Sequence, residues 1–303
     1  MRGRAAQPYR HAMTDAIDTI LFIHGLWMTP RSWEQWAARY ASRGYKVLAP
    51  AWPGMEGDVE ALNRDPSPIA RVGMRQVVDH YDGIIRGLER PPMIMGHSIG
   101  GTVMQVLLDR GLGAAGVGVA SATVKGVPDL PLSTIRASAP VLRNPFNRGK
   151  AVPISAKQFR YGFANTLGAD EASRLYERYA VPAAGSVLFE VALAAVKRNG
   201  PTKVDFAREG RAPLLLIAFG RDHIVPPRAT RHNAEKYTRT STAVIEFKEF
   251  PDRPHFPAAP GWEKVADYAL SWATANAMGD GPLMVPRPPS VRPPAPGRAA
   301  RAS

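Results

Sequence analysis

Short runs of β-branched and other apolar residues alternate along this chain with longer stretches whose apolar positions recur at helical spacing. Residues 19–23, 45–49, 93–95, 116–120, 213–219 and 243–247 read as strands, most of them apolar throughout, as strands covered on both faces are. Residues 32–43, 69–89, 99–110, 228–238 and 262–276 read as helices between and after them. Such alternation implies right-handed crossovers and predicts an α/β protein with a doubly wound, mostly parallel sheet covered by helices on both faces. In sheets of this kind, reactive side chains collect in the loops beyond the strand C-termini.

Residues 125–211 break the alternation. Helical patterns recur there near 132–142, 156–165, 170–180 and 186–197, with no clear strand. This predicts a helical cap at 125–211 inserted into an α/β core made of residues 18–124 and 212–278. Phe146, Phe159, Tyr161, Phe163, Tyr176, Tyr179 and Phe189 make the cap aromatic, and aromatic residues at helical spacing belong more often to a core than to a pocket wall. Residues 1–17 form a basic extension and 279–303 a proline-rich basic tail; neither composition builds a core, and both are expected to be disordered. Met13 directly precedes the first patterned segment and offers a second possible start.

Charge changes the picture little at this level. There are 39 basic and 26 acidic residues, a net charge of +13; residues 1–12 contribute +3 and 279–303 another +3, which leaves +7 for residues 13–278. The basic residues read as interspersed with acids, without a Lys/Arg block or zinc-finger spacing, so no nucleic-acid partner is expected. The absence of cysteine excludes a disulfide framework, cysteine-ligated metal and a thiol nucleophile. The basic N-terminus has no apolar run behind it, and residues 112–124 are too short to span a bilayer, so a soluble, cytoplasmic protein without a membrane partner is expected. No pattern in the chain specifies an oligomeric state.

The chemistry concentrates in a few strand ends. Gly96-His97-Ser98-Ile99-Gly100 follows one predicted strand and opens a helix, which is G-x-S-x-G in the strand–turn–helix setting that exposes a nucleophilic serine. A serine hydroxyl needs a base oriented by an acid, and hydrolases of this kind order them Ser, acid, His. Asp222 follows the 213–219 strand, and His255 lies in Pro251-Asp252-Arg253-Pro254-His255-Phe256 after the last strand. Asp252 and Asp129 are the alternative acids. His24, His97 and His223 adjoin other motif residues, His80 and His232 lie on helices and His11 in the N-terminal extension, so His255 is the candidate base. The backbone amides of Leu26, after His24-Gly25, and Ile99, after the serine, are candidate donors to an oxyanion. Gly111-Leu-Gly-Ala-Ala-Gly116 matches G-x-G-x-x-G, but it follows a helix and precedes a strand, the reverse of the dinucleotide-binding order.

With FIHGLW at 22–27, APAWPG at 49–54, MGHSIGG at 95–101, GRDHIVPP at 220–227 and DRPHF at 252–256, the chain resembles the α/β-hydrolase superfamily over residues 19–276, and most closely its capped bacterial serine hydrolases related to carboxylesterases. The resemblance implies a Ser98–His255–Asp222 triad, an oxyanion hole and no cofactor or metal. It also implies a leading antiparallel hairpin, for which little chain precedes residue 19. Cleavage of small, largely apolar carboxylic esters is the expected reaction. C–C bond, lactone or peroxyacid chemistry with the same triad is the alternative, and a non-catalytic binding protein on the same fold is the reading from another class.

Overall fold

A computed structural model describes residues 17–277, apart from 128, 130 and 196–199. The two expected disordered ends, and any hairpin ahead of residue 17, lie outside the described residues. Six strands form the main sheet: β1 (Thr19–Ile23), β2 (Lys46–Leu48), β3 (Met93–His97), β4 (Ala115–Val119), and, later in the chain, Leu214–Phe219 and Ile245–Phe250. Between β4 and Leu214 a two-residue antiparallel ladder joins Ala151–Val152 (β5) to Ala183–Ala184 (β6), so the last two sheet strands are β7 and β8. The sheet order is β2-β1-β3-β4-β7-β8, and every neighbouring pair in it is parallel. The expected doubly wound α/β sheet is therefore present.

Strand periodicity sorts its side chains into two cores. Ile20 and Phe22 of β1 point to one face with Met93, Met95, Leu215 and Ile217, where Trp33, Trp36 and Tyr40 cover them. That face is closed by α1 (Glu34–Ala41) and by the last helix, Trp262–Asn276. Leu21, Ile23, Ile94, Leu214 and Leu216 point the other way, towards α3 (Met74–Arg86) and α4 (Ile99–Asp109). A short helix, α2 (Val59–Arg64), lies between β2 and α3; the sequence pattern did not announce it, because its six residues span under two turns, and it starts on the Asp58 side chain, which accepts from the Ala61 amide at 2.6 Å.

The segment between β4 and β7 carries α5 (Leu132–Leu142), α6 (Ala156–Phe163), α7 (Ala169–Tyr179) and α8 (Gly185–Ala192). The β5–β6 ladder corrects the expectation of a strand-free interval; two residues per strand are too few for a periodic signal. The helix after β7, α9 (Pro227–Thr238), and α10 (Trp262–Asn276) complete the fold. β8 begins two residues later and ends three later than the sequence pattern suggests. It is the edge strand, half-buried along its length, and its Lys248 and Glu249 read as loop residues when only apolar character is scored. Gly111 closes α4 at φ +77°, ahead of β4, so the G-x-G-x-x-G run is a helix stop and turn. Among the described residues, no helix is long and apolar enough to cross a membrane.

Lys125, just beyond β4, donates its backbone N–H to Thr202 O at 3.0 Å, so the intervening segment leaves and returns to the sheet side by side. Over the strand C-termini it is fastened at Trp27, whose indole donates to Val152 O at 3.1 Å and whose carbonyl accepts from the Val181 amide at 3.0 Å.

Candidate active site

A non-glycine residue with positive φ lies just beyond each of three neighbouring strands: Ser98 at +53° directly after β3, Ala120 at +46° directly after β4, and Trp27 at +61° four residues after β1. Such conformations cost on the order of 1–3 kcal/mol each and persist where the surroundings over-determine them. At Ser98 those surroundings are visible. Its N–H donates to Val119 O at 3.1 Å, and its carbonyl accepts from Gly101 and Ala122 amides at 2.9 Å each. A β-carbon on Gly96 would strike the Gly100 carbonyl, and one on Gly100 would strike the Ile23 carbonyl, so only glycine permits this strand, turn and helix to close so tightly.

Ser98 lines a cavity of about 160 Å³ whose walls include Leu26, Trp27, Ile99, Val127, Phe163, Leu188 and Val225. Leu26 and Ile99, the two residues proposed from sequence as backbone donors, therefore border the same space as the serine. Ile99 is the first residue of α4, where backbone amides have no acceptor within the helix. Thr123, Lys125, Asp129, Thr134, Ser138 and Thr202 add polar residues to the lining.

Asp222 and His255 meet although 33 residues separate them. The loop after β7 carries the acid and the loop after β8 the histidine, and Gly220 and Arg221 amides donate to Phe250 O and Arg253 O to hold the loops together, at 2.8 and 2.9 Å. Asp222 Oδ1 accepts from the Ile224 and Val225 amides at 2.7 and 2.8 Å, which leaves Oδ2 to accept from His255 Nδ1 at 2.6 Å. Both side chains are fully buried. With Nδ1 committed to the carboxylate, Nε2 carries the lone pair, and it is buried without a hydrogen-bond partner. Phe163 connects this pair to the cavity: it lines the space beside Ser98, and its ring lies 5.1 Å from the His255 ring.

Neither alternative acid is bonded to His255, although Asp129 borders the cavity. Asp252 is exposed, and Asp129 accepts from His232 Nδ1 and pairs with Arg228 at 3.6 Å. His80 stacks edge-on against Tyr81, and His223 Nδ1 donates to Tyr161 O at 2.9 Å. His97, which the sequence places only as a neighbour of the motif serine, touches the candidate base. Its Nε2 donates to the His255 backbone carbonyl at 2.9 Å, and its ring lies 4.6 Å from that of His255. Burial first, then the neighbouring His255, hold the His97 imidazole well below the ordinary histidine range, so it stays neutral. A histidine inside G-x-S-x-G gives no linear sign of this contact, whose partner lies 158 residues away.

Of the seven aromatic residues expected from sequence to belong to a cap, Phe163 alone lines the cavity. Phe159 and Tyr179 are buried in the core, whereas Phe146 is 81% exposed. Among the described residues, no group of three or more His, Asp or Glu side chains is placed to hold a metal ion.

The profile of the Alpha/beta hydrolase family matches residues 20–268. No curated protein matches the chain. Among solved structures, a methylesterase from Arabidopsis superposes with a TM-score of 0.60 at 12% identity, over 86% of this chain and 100% of its own. A monoacylglycerol lipase from Paleococcus ferrophilus gives 0.56 at 17% identity, over 87% and 97%. A pyrethroid hydrolase from Sphingobium faniae gives 0.60 at 18% identity, over 86% and 98%. At these identities the likeness is one of fold.

Proposed function

The chain is a hydrolase of the alpha/beta hydrolase family, and from that premise we propose that it cleaves carboxylic esters of small, largely apolar molecules through an acyl-enzyme on Ser98. The observation that carries this reading is the buried Asp222–His255 pair, with its free Nε2, at the same sheet rim as a serine held in a strained turn against an apolar cavity. Ser98 Oγ attacks the ester carbonyl while His255 Nε2 takes its proton, through a hydrogen bond that forms when substrate fills the cavity. The Leu26 and Ile99 amides receive the negative charge that develops on the carbonyl oxygen. His255 then returns the proton to the leaving alcohol, and water repeats the cycle on the acyl-enzyme. Asp222 keeps the imidazole in the required tautomer and stabilises its protonated form. Residues 125–211 act as a cap that supplies Phe163, Leu188 and Thr134 to the cavity wall.

The test is covalent. A sulfonyl fluoride or organophosphonate should modify Ser98 and abolish ester turnover in step with labelling. Ser98→Ala should lower turnover by about 10⁴–10⁶-fold while leaving the fold intact. Stoichiometric label at another residue, with activity lost, would refute the assignment.

A further inference from the structure

Between the two basic ends, the mixing of basic and acidic residues fails most plainly in one stretch. Residues 130–169 hold Arg136, Arg143, Arg148, Lys150, Lys157 and Arg160 and not one Asp or Glu, so this stretch of 40 residues carries +6. The fold then brings four of these cations around a single cleft of about 470 Å³ between α5 and α6: Arg136 and Arg143 from the α5 side, Lys157 and Arg160 from α6. Gln158, Tyr161 and Asn165 complete its polar wall. All four cations are exposed, and none makes an ion pair with a described residue. The Arg136 guanidinium lies 4.1 Å over the Tyr161 ring, a contact that fixes its plane at the cleft.

A second surface cleft gives the comparison. It is lined by Arg43, Lys46 and Arg90, but Asp18 and Glu89 lie among them and offset the charge. In the α5–α6 cleft no carboxylate does so. Like charges that converge without a counter-ion repel one another, and an arrangement of this kind is stabilised by an anion that sits between them. The cleft is also separate from the Ser98 cavity: the two lie on different sides of α5 and share only Ala137 among their lining residues.

We propose that the α5–α6 cleft is a binding site for a phosphoryl-bearing polyanion, held by Arg136, Arg143, Lys157 and Arg160. Two arginine forks match phosphate oxygens in bidentate geometry, and the lysine and third arginine supply the charge needed by a group of two or more negative charges. The phosphoryl group can belong to a free solute or to a lipid headgroup, and the experiment separates these sources. The inference stands apart from the ester-hydrolase reading, since its readout is binding at a site that Ser98 does not border.

The test is calorimetric titration of pyrophosphate into the full chain at low ionic strength, beside flotation with phosphatidylcholine vesicles with and without phosphatidic acid. Saturable binding of one pyrophosphate is expected, weakened by added salt and by about tenfold or more in each of Arg136→Gln and Arg143→Gln. Arg90→Gln, in the charge-compensated cleft, should bind as the parent does. Failure to float assigns the site to a soluble phosphorylated ligand; flotation that requires phosphatidic acid and is competed by pyrophosphate assigns it to a headgroup. The proposal is overturned if pyrophosphate shows no saturable binding, if Arg136→Gln and Arg143→Gln bind it as the parent does, if Arg90→Gln weakens it as much as they do, or if the protein floats and pyrophosphate does not compete the flotation.

Discussion

Acid should destabilise this fold through His24, by an amount that its surroundings set. The side chain is buried at the end of β1, stacked on Trp52 at 4.9 Å. Its Nδ1–H donates to Gly25 O at 3.0 Å, and its Nε2 accepts from the Trp52 amide at 3.2 Å. A second proton would have to go on Nε2, where it would displace that N–H and bring a charge into the interior. Burial lowers the pKa from 6.5 to about 4, against a smaller opposing effect of the hydrogen bond to Gly25. The folded value lies below the unfolded one, so the unfolded chain takes up the proton first. Stability is complete above about pH 6.5, falls as the pH is lowered, and levels off below about pH 4. Near pH 5 the unfolded chain holds this proton almost fully and the folded chain about a tenth of it. The slope is then about 1 kcal/mol per pH unit, and the accumulated loss from neutral pH is about 2 kcal/mol. Urea denaturation at a series of pH values should show a stability slope near pH 5 that is shallower by this amount in His24→Gln than in the parent. His97, whose pKa is also lowered, contributes the same sign in both proteins, because burial and the neighbouring His255, the main causes of lowering, remain when His24 is replaced. Parallel slopes for the two proteins would refute the reasoning, whatever their absolute stabilities.

Asp222→Asn should cost about 10⁴-fold in kcat for a nitrophenyl ester, because the amide no longer enforces the Nδ1–H tautomer; a near-normal rate would remove Asp222 from the mechanism. Ser98→Gly should melt at a higher temperature than Ser98→Ala, by a difference equivalent to about 1 kcal/mol, since glycine tolerates the +53° φ that alanine must strain to adopt. Among nitrophenyl esters, kcat/KM should peak at short acyl chains and fall towards palmitate. The cavity of about 160 Å³ is close to the roughly 150 Å³ that accommodates benzene in a protein core.

The strands that sequence patterning located best are those whose side chains are buried on both faces. Leu214–Phe219 is wholly buried, and its run of apolar residues has few other readings. Ile245–Phe250 alternates charge with hydrophobicity because one edge meets water, and its C-terminal half escaped the same criterion. The motif residues Ser98, Asp222 and His255 stood out because each occupies a strand end where chain order and local chemistry agree. What linear spacing could not supply was direction in three dimensions. Phe159 and Phe163 share one helix four residues apart and stack at 5.0 Å, yet only the second reaches the cavity. The charge of the α5–α6 cleft was present in the sequence as a missing sign: a search for Lys/Arg blocks passes over a stretch whose distinction is that it holds no acid.

The 3.0 Å bond between Lys125 N and Thr202 O has a consequence for how such a protein can change. Because the polypeptide departs from the sheet and rejoins it at one point, the β4–β7 pairing closes beneath the segment without depending on its length. Insertions, deletions or wholesale exchange between those two residues leave the spacing of β4 and β7 untouched. The loops that hold Ser98, Asp222 and His255 follow strands outside the segment, and an exchanged segment must supply new partners for the Trp27 indole and carbonyl, which Val152 and Val181 now satisfy, and for the His223 imidazole and Phe256 amide, which the Tyr161 and Phe163 carbonyls now satisfy. Under the proposed function, selectivity can then diversify by recombination of this one segment while the proposed catalytic residues are passed on.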